Sequence, residues 1–154
     1  MKSPSRQLHA GADPVRVLLV DDHALFAEAL MLTLGIDRRI EVIGHARTGI
    51  EAIALSRELC PDVVLMDLHM PGMDGIEATK AVRRVRPGTR VVMLTASDAR
   101  EHVRWAHEAG AARYVTKDAS ALELLDTVLE VARGPIPSLF AVPDSKPAPL
   151  GRTA

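Results

Sequence analysis

Five short apolar runs, separated by longer segments of helical period, constrain the fold more than any other feature of this chain. The runs are Val15-Arg16-Val17-Leu18-Leu19-Val20, Glu41-Val42-Ile43-Gly44, Val63-Val64-Leu65-Met66, Val91-Val92-Met93-Leu94 and Tyr114-Val115. They are β-branched and nearly continuous, as in strands covered on both faces. Between them apolar residues step by three and four: Ile76, Thr79, Val82 and Val85; Val103, Ala106 and Ala109; Leu122, Leu125, Val128, Leu129 and Ala132. Thr48 with Glu51 and Ser120 with Glu123 have capping-box spacing, and Asp74 with Glu77 and Asp98 with Glu101 repeat it with an aspartate cap. The order predicted is βαβαβαβαβα. Strands joined by crossover helices imply an α/β, doubly wound, five-stranded parallel sheet with five helices on its two faces.

Five of the ten prolines (Pro135, Pro137, Pro143, Pro147 and Pro149) fall near the C-terminus, where helix and central strand are both disfavoured. The expected organisation is a flexible arm over 1–14, a folded unit over 15–133, and a Pro-rich tail or interdomain linker over 134–154. Nineteen Lys+Arg against 20 Asp+Glu leave a net charge of −1. That balance argues against a polybasic nucleic-acid or membrane-surface binder. The lone cysteine, Cys60, excludes an internal disulfide or a multi-cysteine metal site and fits a cytoplasmic setting. No apolar run approaches the roughly 20 residues that cross a bilayer, and none follows Met1 to Arg6 as a signal peptide requires.

In a parallel doubly wound sheet the ligand site lies beyond the carboxyl ends of the strands. Here those ends carry Asp21-Asp22, Asp67, Thr95 and Thr116-Lys117. Three carboxylates brought together repel by roughly 4 kcal/mol per close pair at an effective dielectric of 20. Either their pKa values rise or a cation sits among them. An oxygen-only set suits Mg²⁺ before Zn²⁺. A lysine and a hydroxyl opposite the metal would complete a clamp for a phosphoryl group, and a carboxylate there can act as nucleophile on phosphorus. Taken singly, Asp22 reads as a helix cap, Lys117 as a solvated side chain and Thr95 as a turn residue. Their conjunction at four strand ends is what is specific.

The stretches Leu19-Val20-Asp21-Asp22-His23, Pro61 to Gly75 with Asp67 and Met70-Pro71-Gly72, Leu94-Thr95-Ala96, and Gly110 to Asp118 resemble the response-regulator receiver domains of two-component signalling. Asp-Asp-His at the first strand end and Lys-Asp at the fifth resemble the NarL/FixJ (LuxR-type) subfamily. The resemblance implies a flavodoxin-like strand order of 2-1-3-4-5. It implies that Asp67 accepts a phosphoryl group from a sensor histidine kinase. Asp22, Asp21, Asp67 and the backbone carbonyl of His69 would hold Mg²⁺, Lys117 would pair with the phosphate, and Thr95 would hydrogen-bond to it. Tyr114 would turn inward as Thr95 moves, switching the face made by the fourth helix, fifth strand and fifth helix, through which a homodimer is possible. Such regulators usually carry a helix-turn-helix output domain; residues 134–154 are too few for one, so no direct DNA binding is expected of this chain.

The reading is of a signalling module whose only chemistry is its own phosphorylation and slow dephosphorylation. Two rivals are a phosphorylation-independent interaction domain and a small-molecule aspartate-nucleophile phosphohydrolase. The second wants another acid two residues after the nucleophile, where His69 stands. The side chains of His23 and His69 are read as non-ligands, and the resemblance implies that His69 and Ser97 occupy positions that tune phosphoryl lifetime. Cys60 is read as a small packed residue, the run Arg83, Arg84 and Arg86 as a solvated helix end favoured by the helix dipole, and Trp105 as lying off the apolar stripe of its helix.

Overall fold

A computed structural model describes residues 13–96 and 100–134. The elements are β1 (Val15–Val20), α1 (Ala24–Gly35), β2 (Ile40–Ala46), α2 (Gly49–Leu59), β3 (Val63–Asp67), α3 (Gly75–Val85), β4 (Arg90–Thr95), α4 (Arg100–Ala109), β5 (Arg113–Thr116) and α5 (Ala121–Arg133). All strand pairs are parallel, in the order β2-β1-β3-β4-β5. Apart from Asp13, Pro14 and Gly134, the expected arm and tail lie outside the described residues.

Because successive strand residues point to opposite faces, the continuous apolar runs feed two cores. Val15, Val17, Leu19, Val63, Leu65, Val92 and Leu94 pack with α1 and α5 on one face. Leu18, Val20, Val64, Met66, Val91 and Met93 pack with α2, α3 and α4 on the other. β2 runs longer than its apolar stretch, since Gly44 and His45 interrupt the pattern while pairing with Leu18 and Leu19.

Three predicted caps form, with the side chains of Thr48, Asp74 and Ser120 accepting from the backbone N–H of Glu51, Glu77 and Glu123 at 3.1, 2.9 and 3.1 Å. The fourth, Asp98, lies outside the described residues.

Several side chains differ from expectation. Leu122 is 73% exposed, and the buried face of α5 is Leu124, Val128, Leu129, Val131 and Ala132. At 100° per residue Leu122 sits about 120° round the helix from Val128, outside the stripe. Val103 lies at the edge of the α4 stripe and stays half exposed. Arg83 is buried rather than solvated. The turn after α4 lies on it so closely that a Cβ on Gly110 would sit 1.6 Å from Arg83 Nη1. Desolvation there lowers the guanidinium's pKa. Cys60 is half-buried and caps α2 in the left-handed conformation, at φ 51°. Trp105 is 40% exposed, off the buried Ala106/Ala109 stripe as read.

α1 is apolar on both sides. Ala27, Leu30 and Leu34 face the core, while Leu25, Leu32 and Ile36 just past its end are exposed.

Candidate functional site

Parallel register brings the strand ends to one rim. Val20 pairs with Met66, so Asp21 lies next to Asp67, the last residue of β3. Asp67 pairs with Leu94, one residue before Thr95 ends β4, and Thr95 pairs with Thr116, one residue before Lys117. The backbone N–H of Lys117 donates to the Thr95 carbonyl at 2.7 Å, closing the loop after β5 onto β4. Asp21, Asp67 and Thr95 are buried.

Lys117 Nζ lies 2.8 Å from Asp21 Oδ2 and 3.5 Å from Asp67 Oδ2. The ring of Phe26 lies beneath the ammonium, 4.6 Å from its centroid, and favours the cation where it stands. Asp21 is held from two sides: the His23 backbone N–H donates to its Oδ1 at 2.7 Å, and His45 Nε2 meets its carbonyl at 2.8 Å. The Asp67 carboxyl is pushed up to about 6, first by burial and then by the charge on Asp21, with Lys117 and the His69 N–H opposing. One ammonium therefore does not balance the acids.

The remaining residues take different places. The His69 N–H reaches Asp67 Oδ1 at 3.4 Å, while its exposed ring packs edge-on against His102 of α4, centroids 5.2 Å apart. Tyr114 is half-buried against the core on the α3/α4 side, beside Met93. Ser97 lies outside the described residues. Gly75 starts α3 so close to the acid that a Cβ there would sit 2.2 Å from the Asp67 carbonyl oxygen. Its N–H donates to the Leu68 carbonyl at 2.8 Å.

Asp21, Asp22, His23 and Asp67 each offer a ligand atom, all within 4.8 Å of one another. Asp22 Oδ1 meets His23 Nδ1 at 3.3 Å and Asp67 Oδ2 meets Lys117 Nζ at 3.5 Å, so three carboxylates crowd round a single ammonium, a costly condition that a bound cation relieves. The donor set fits Mg²⁺, a hard cation that takes one or two carboxylates and keeps waters or phosphate oxygens.

Sequence reading does not single out Phe26, His45 and His102. Each acts across the sheet rim on a residue far away in sequence, and no local motif announces such a contact.

Comparison with known proteins agrees with this geometry. The family model for the response regulator receiver domain matches residues 17–129. The transcriptional regulatory protein LiaR of Bacillus subtilis is 42% identical over 120 residues, 78% of this chain and 57% of LiaR. The probable transcriptional regulatory protein NarL of Mycobacterium tuberculosis is 38% identical over 122 residues, 79% of this chain and 56% of NarL. This chain thus spans little more than half the length of these curated relatives. Among solved structures, the receiver domain of the Mycobacterium tuberculosis NarL superposes with a TM-score of 0.77 at 38% identity, covering 80% of this chain and all of that one. The response regulator domain of Thermotoga maritima CheB gives 0.74 at 32%, covering 79% and 98%. With the strand order, the acidic rim and the family match in agreement, the chain belongs to the response regulator receiver domain family.

Proposed function

We propose that this chain is the phosphorylation-activated receiver of a transcriptional response regulator, and that Asp67 takes a phosphoryl group from a histidine kinase. The observation that carries the reading is the convergence of Asp21, Asp22, Asp67 and Lys117 in one pocket, with Lys117 Nζ at 2.8 and 3.5 Å from two of the acids. Asp21, Asp22, Asp67 and the His69 carbonyl would hold Mg²⁺. That ion, when bound, supplies positive charge against the phosphoryl oxygens.

In the transfer, an Asp67 Oδ attacks phosphorus as the O–P bond forms. The N–P bond of phosphohistidine breaks, and the imidazole nitrogen leaves with its electron pair. Lys117 moves from the acids onto a phosphoryl oxygen, and the Thr95 hydroxyl donates to another. Thr95 ends β4 and Lys117 follows β5, so their movement carries the loops after both strands with them. Tyr114 follows into the space on the α4 side, and the α4–β5–α5 face changes. This is a two-state equilibrium biased by local charge, with coupling of about 1–3 kcal/mol typical of such switches. Water later hydrolyses the acyl phosphate slowly, with no other substrate turned over.

Residues 15–133 form the receiver in this reading, and 134–154 a linker to an output domain in a cytoplasmic regulator. No helix among the described residues is long and apolar enough to cross a membrane. The kinase docks at the pocket mouth along α1, whose exposed Leu25 and Leu32 need a partner more than solvent. A second copy pairs through α4–β5–α5, where Val103, Trp105 and Leu122 are exposed.

Incubation with Mg²⁺ and acetyl phosphate tests the acceptor. Intact-mass spectrometry should show one added phosphoryl group on the wild type and none on Asp67→Asn. A gain that persists in the variant removes Asp67 from the role.

A further inference from the structure

His69 stands two residues beyond Asp67, and its ring packs on α4. It meets the His102 ring edge-on, with centroids 5.2 Å apart and ring planes at 74°. The His102 ring in turn lies 5.5 Å from that of Trp105 on the same helix. Three rings therefore join the loop after β3 to the exposed face of α4.

The two halves of α4 are held differently. The second half buries Ala106 and Ala109. The turn beyond it is closed by the N–H groups of Gly110 and Ala111, which donate to the carbonyls of His107 and Ala106, each at 2.9 Å. Arg83 of α3, itself buried, packs against Gly110. Of residues 100–105, by contrast, only His102 is not exposed. Its Nδ1 is enclosed and makes no hydrogen bond among the described residues, so ring packing, not a bond at that nitrogen, keeps the side chain in place. A helix of ten residues has little stability of its own and depends on its packing. In the first half of α4 the side chain that supplies packing is His102.

A phosphoryl group on Asp67 changes what His69 meets. It adds nearly two negative charges and three acceptor oxygens. They arrive beside an exposed imidazole whose own backbone N–H already reaches Asp67 Oδ1 at 3.4 Å. A neutral imidazole has an N–H to donate in either tautomer. Its bond to an ionised oxygen is stronger than an edge contact between two small rings. We propose that His102 is a positioning residue: it holds the His69 ring on α4 while Asp67 carries no phosphoryl group, and gives the ring up when Asp67 is phosphorylated. The inference rests on the receiver reading above. Release frees the first half of α4, which turns about the end anchored by Gly110 and Arg83 and re-aims Val103 and Trp105. This link starts from the loop after β3 and is separate from the movement of Thr95 and Tyr114.

Hydrogen exchange on the full chain tests it. Without phosphorylation, His102→Ala should speed exchange of the amides of residues 104–106 at least about tenfold and leave those of 107–111 within about twofold. His69→Ala should do the same, and the double variant should exchange no faster than either single one, because both remove one contact. His102→Phe keeps an edge-on ring and should restore the wild-type rates. His102 is only half-buried and alanine favours helix, so the variants should fold; circular dichroism checks this. With Mg²⁺ and acetyl phosphate, the wild type should reach the rates of His102→Ala. His102→Ala should itself change by less than about twofold, although intact mass shows Asp67 labelled to the same extent. A contact that is merely structural would leave that response in place. Additive effects of the two single substitutions, or a full response to acetyl phosphate in His102→Ala, would overturn the inference and leave the receiver reading intact. Failure of the wild type to take up a phosphoryl group would overturn the receiver reading, and the release step with it.

Discussion

Replacing Asp67 by asparagine should stabilise the metal-free protein, although it removes the residue on which the proposed function depends. The folded state raises the Asp67 pKa from 3.8 to about 6, through burial and the charge on Asp21. Below about pH 4 the carboxyl is protonated in folded and unfolded chains alike and costs nothing. As pH rises from about 4 to about 6 the unfolded chain releases its proton first, so folding stability falls; above about 6 the loss is complete. The gap between 3.8 and about 6 corresponds to about 3 kcal/mol. The effective dielectric around buried groups in proteins exceeds that of a dry interior, which discounts this to about 1–2 kcal/mol of destabilisation at neutral pH. A side-chain amide carries no charge to desolvate, so Asp67→Asn should raise the midpoint of thermal unfolding by roughly 3–8 °C in a metal chelator. The difference should shrink as the pH is lowered toward about 4. Saturating Mg²⁺ should erase or reverse it, since the wild type then binds the ion more tightly than the variant does. Differential scanning calorimetry at several pH values, with and without Mg²⁺, measures all three. A variant less stable than the wild type in chelator at neutral pH would refute the electrostatic account of the pocket.

Other residues give further expectations. Lys117→Met leaves Asp21 and Asp67 without their ammonium and should cost about 1–3 kcal/mol in chelator, with the Asp67 pKa rising further; denaturant unfolding and carbonyl-labelled NMR titration check the two parts. Gly75→Ala places a methyl group against the Asp67 carbonyl, where no flexible side chain can give way, and should cost about 2–4 kcal/mol by urea unfolding. Leu32→Lys on the exposed side of α1 should leave stability and acetyl-phosphate labelling unchanged while slowing phosphotransfer from a kinase at least about tenfold. Equal rates in a phosphotransfer time course would exclude α1 as the docking surface.

The fold is legible in the sequence because its central strands β1, β3 and β4 are apolar and β-branched along most of their length. In a sheet buried on both faces that pattern has few rivals, and Thr48, Asp74 and Ser120 punctuate the helices with caps that form. Helix faces are harder to read. Leu122 has the right residue type and the right spacing from Leu125, yet it lies on solvent, because composition cannot fix which side of a largely apolar helix turns inward. The charge of Arg83 and its place at a helix end suggest solvation. Its burial depends on the turn at Gly110, a contact that no local rule foresees.

Parallel topology alone places the acids and Lys117 on one rim, since the carboxyl ends of parallel strands must share an edge. It cannot say that the His23 ring lies at 3.0–3.8 Å from the acids instead of pointing away. That follows from the backbone bond between residue 23 and Asp21. The supports from Phe26, His45 and His102 arise from tertiary packing and are invisible for the same reason.

The central claim is that the carboxyl at position 67 becomes the acyl phosphate. Borohydride converts an aspartyl phosphate to homoserine and leaves free carboxylates untouched. After treatment with Mg²⁺ and acetyl phosphate, peptide mapping should place homoserine at position 67, with none at 21 or 22 and none when Mg²⁺ is chelated. Homoserine at position 21 or 22 instead of 67, or labelling that ignores the metal, would contradict the account.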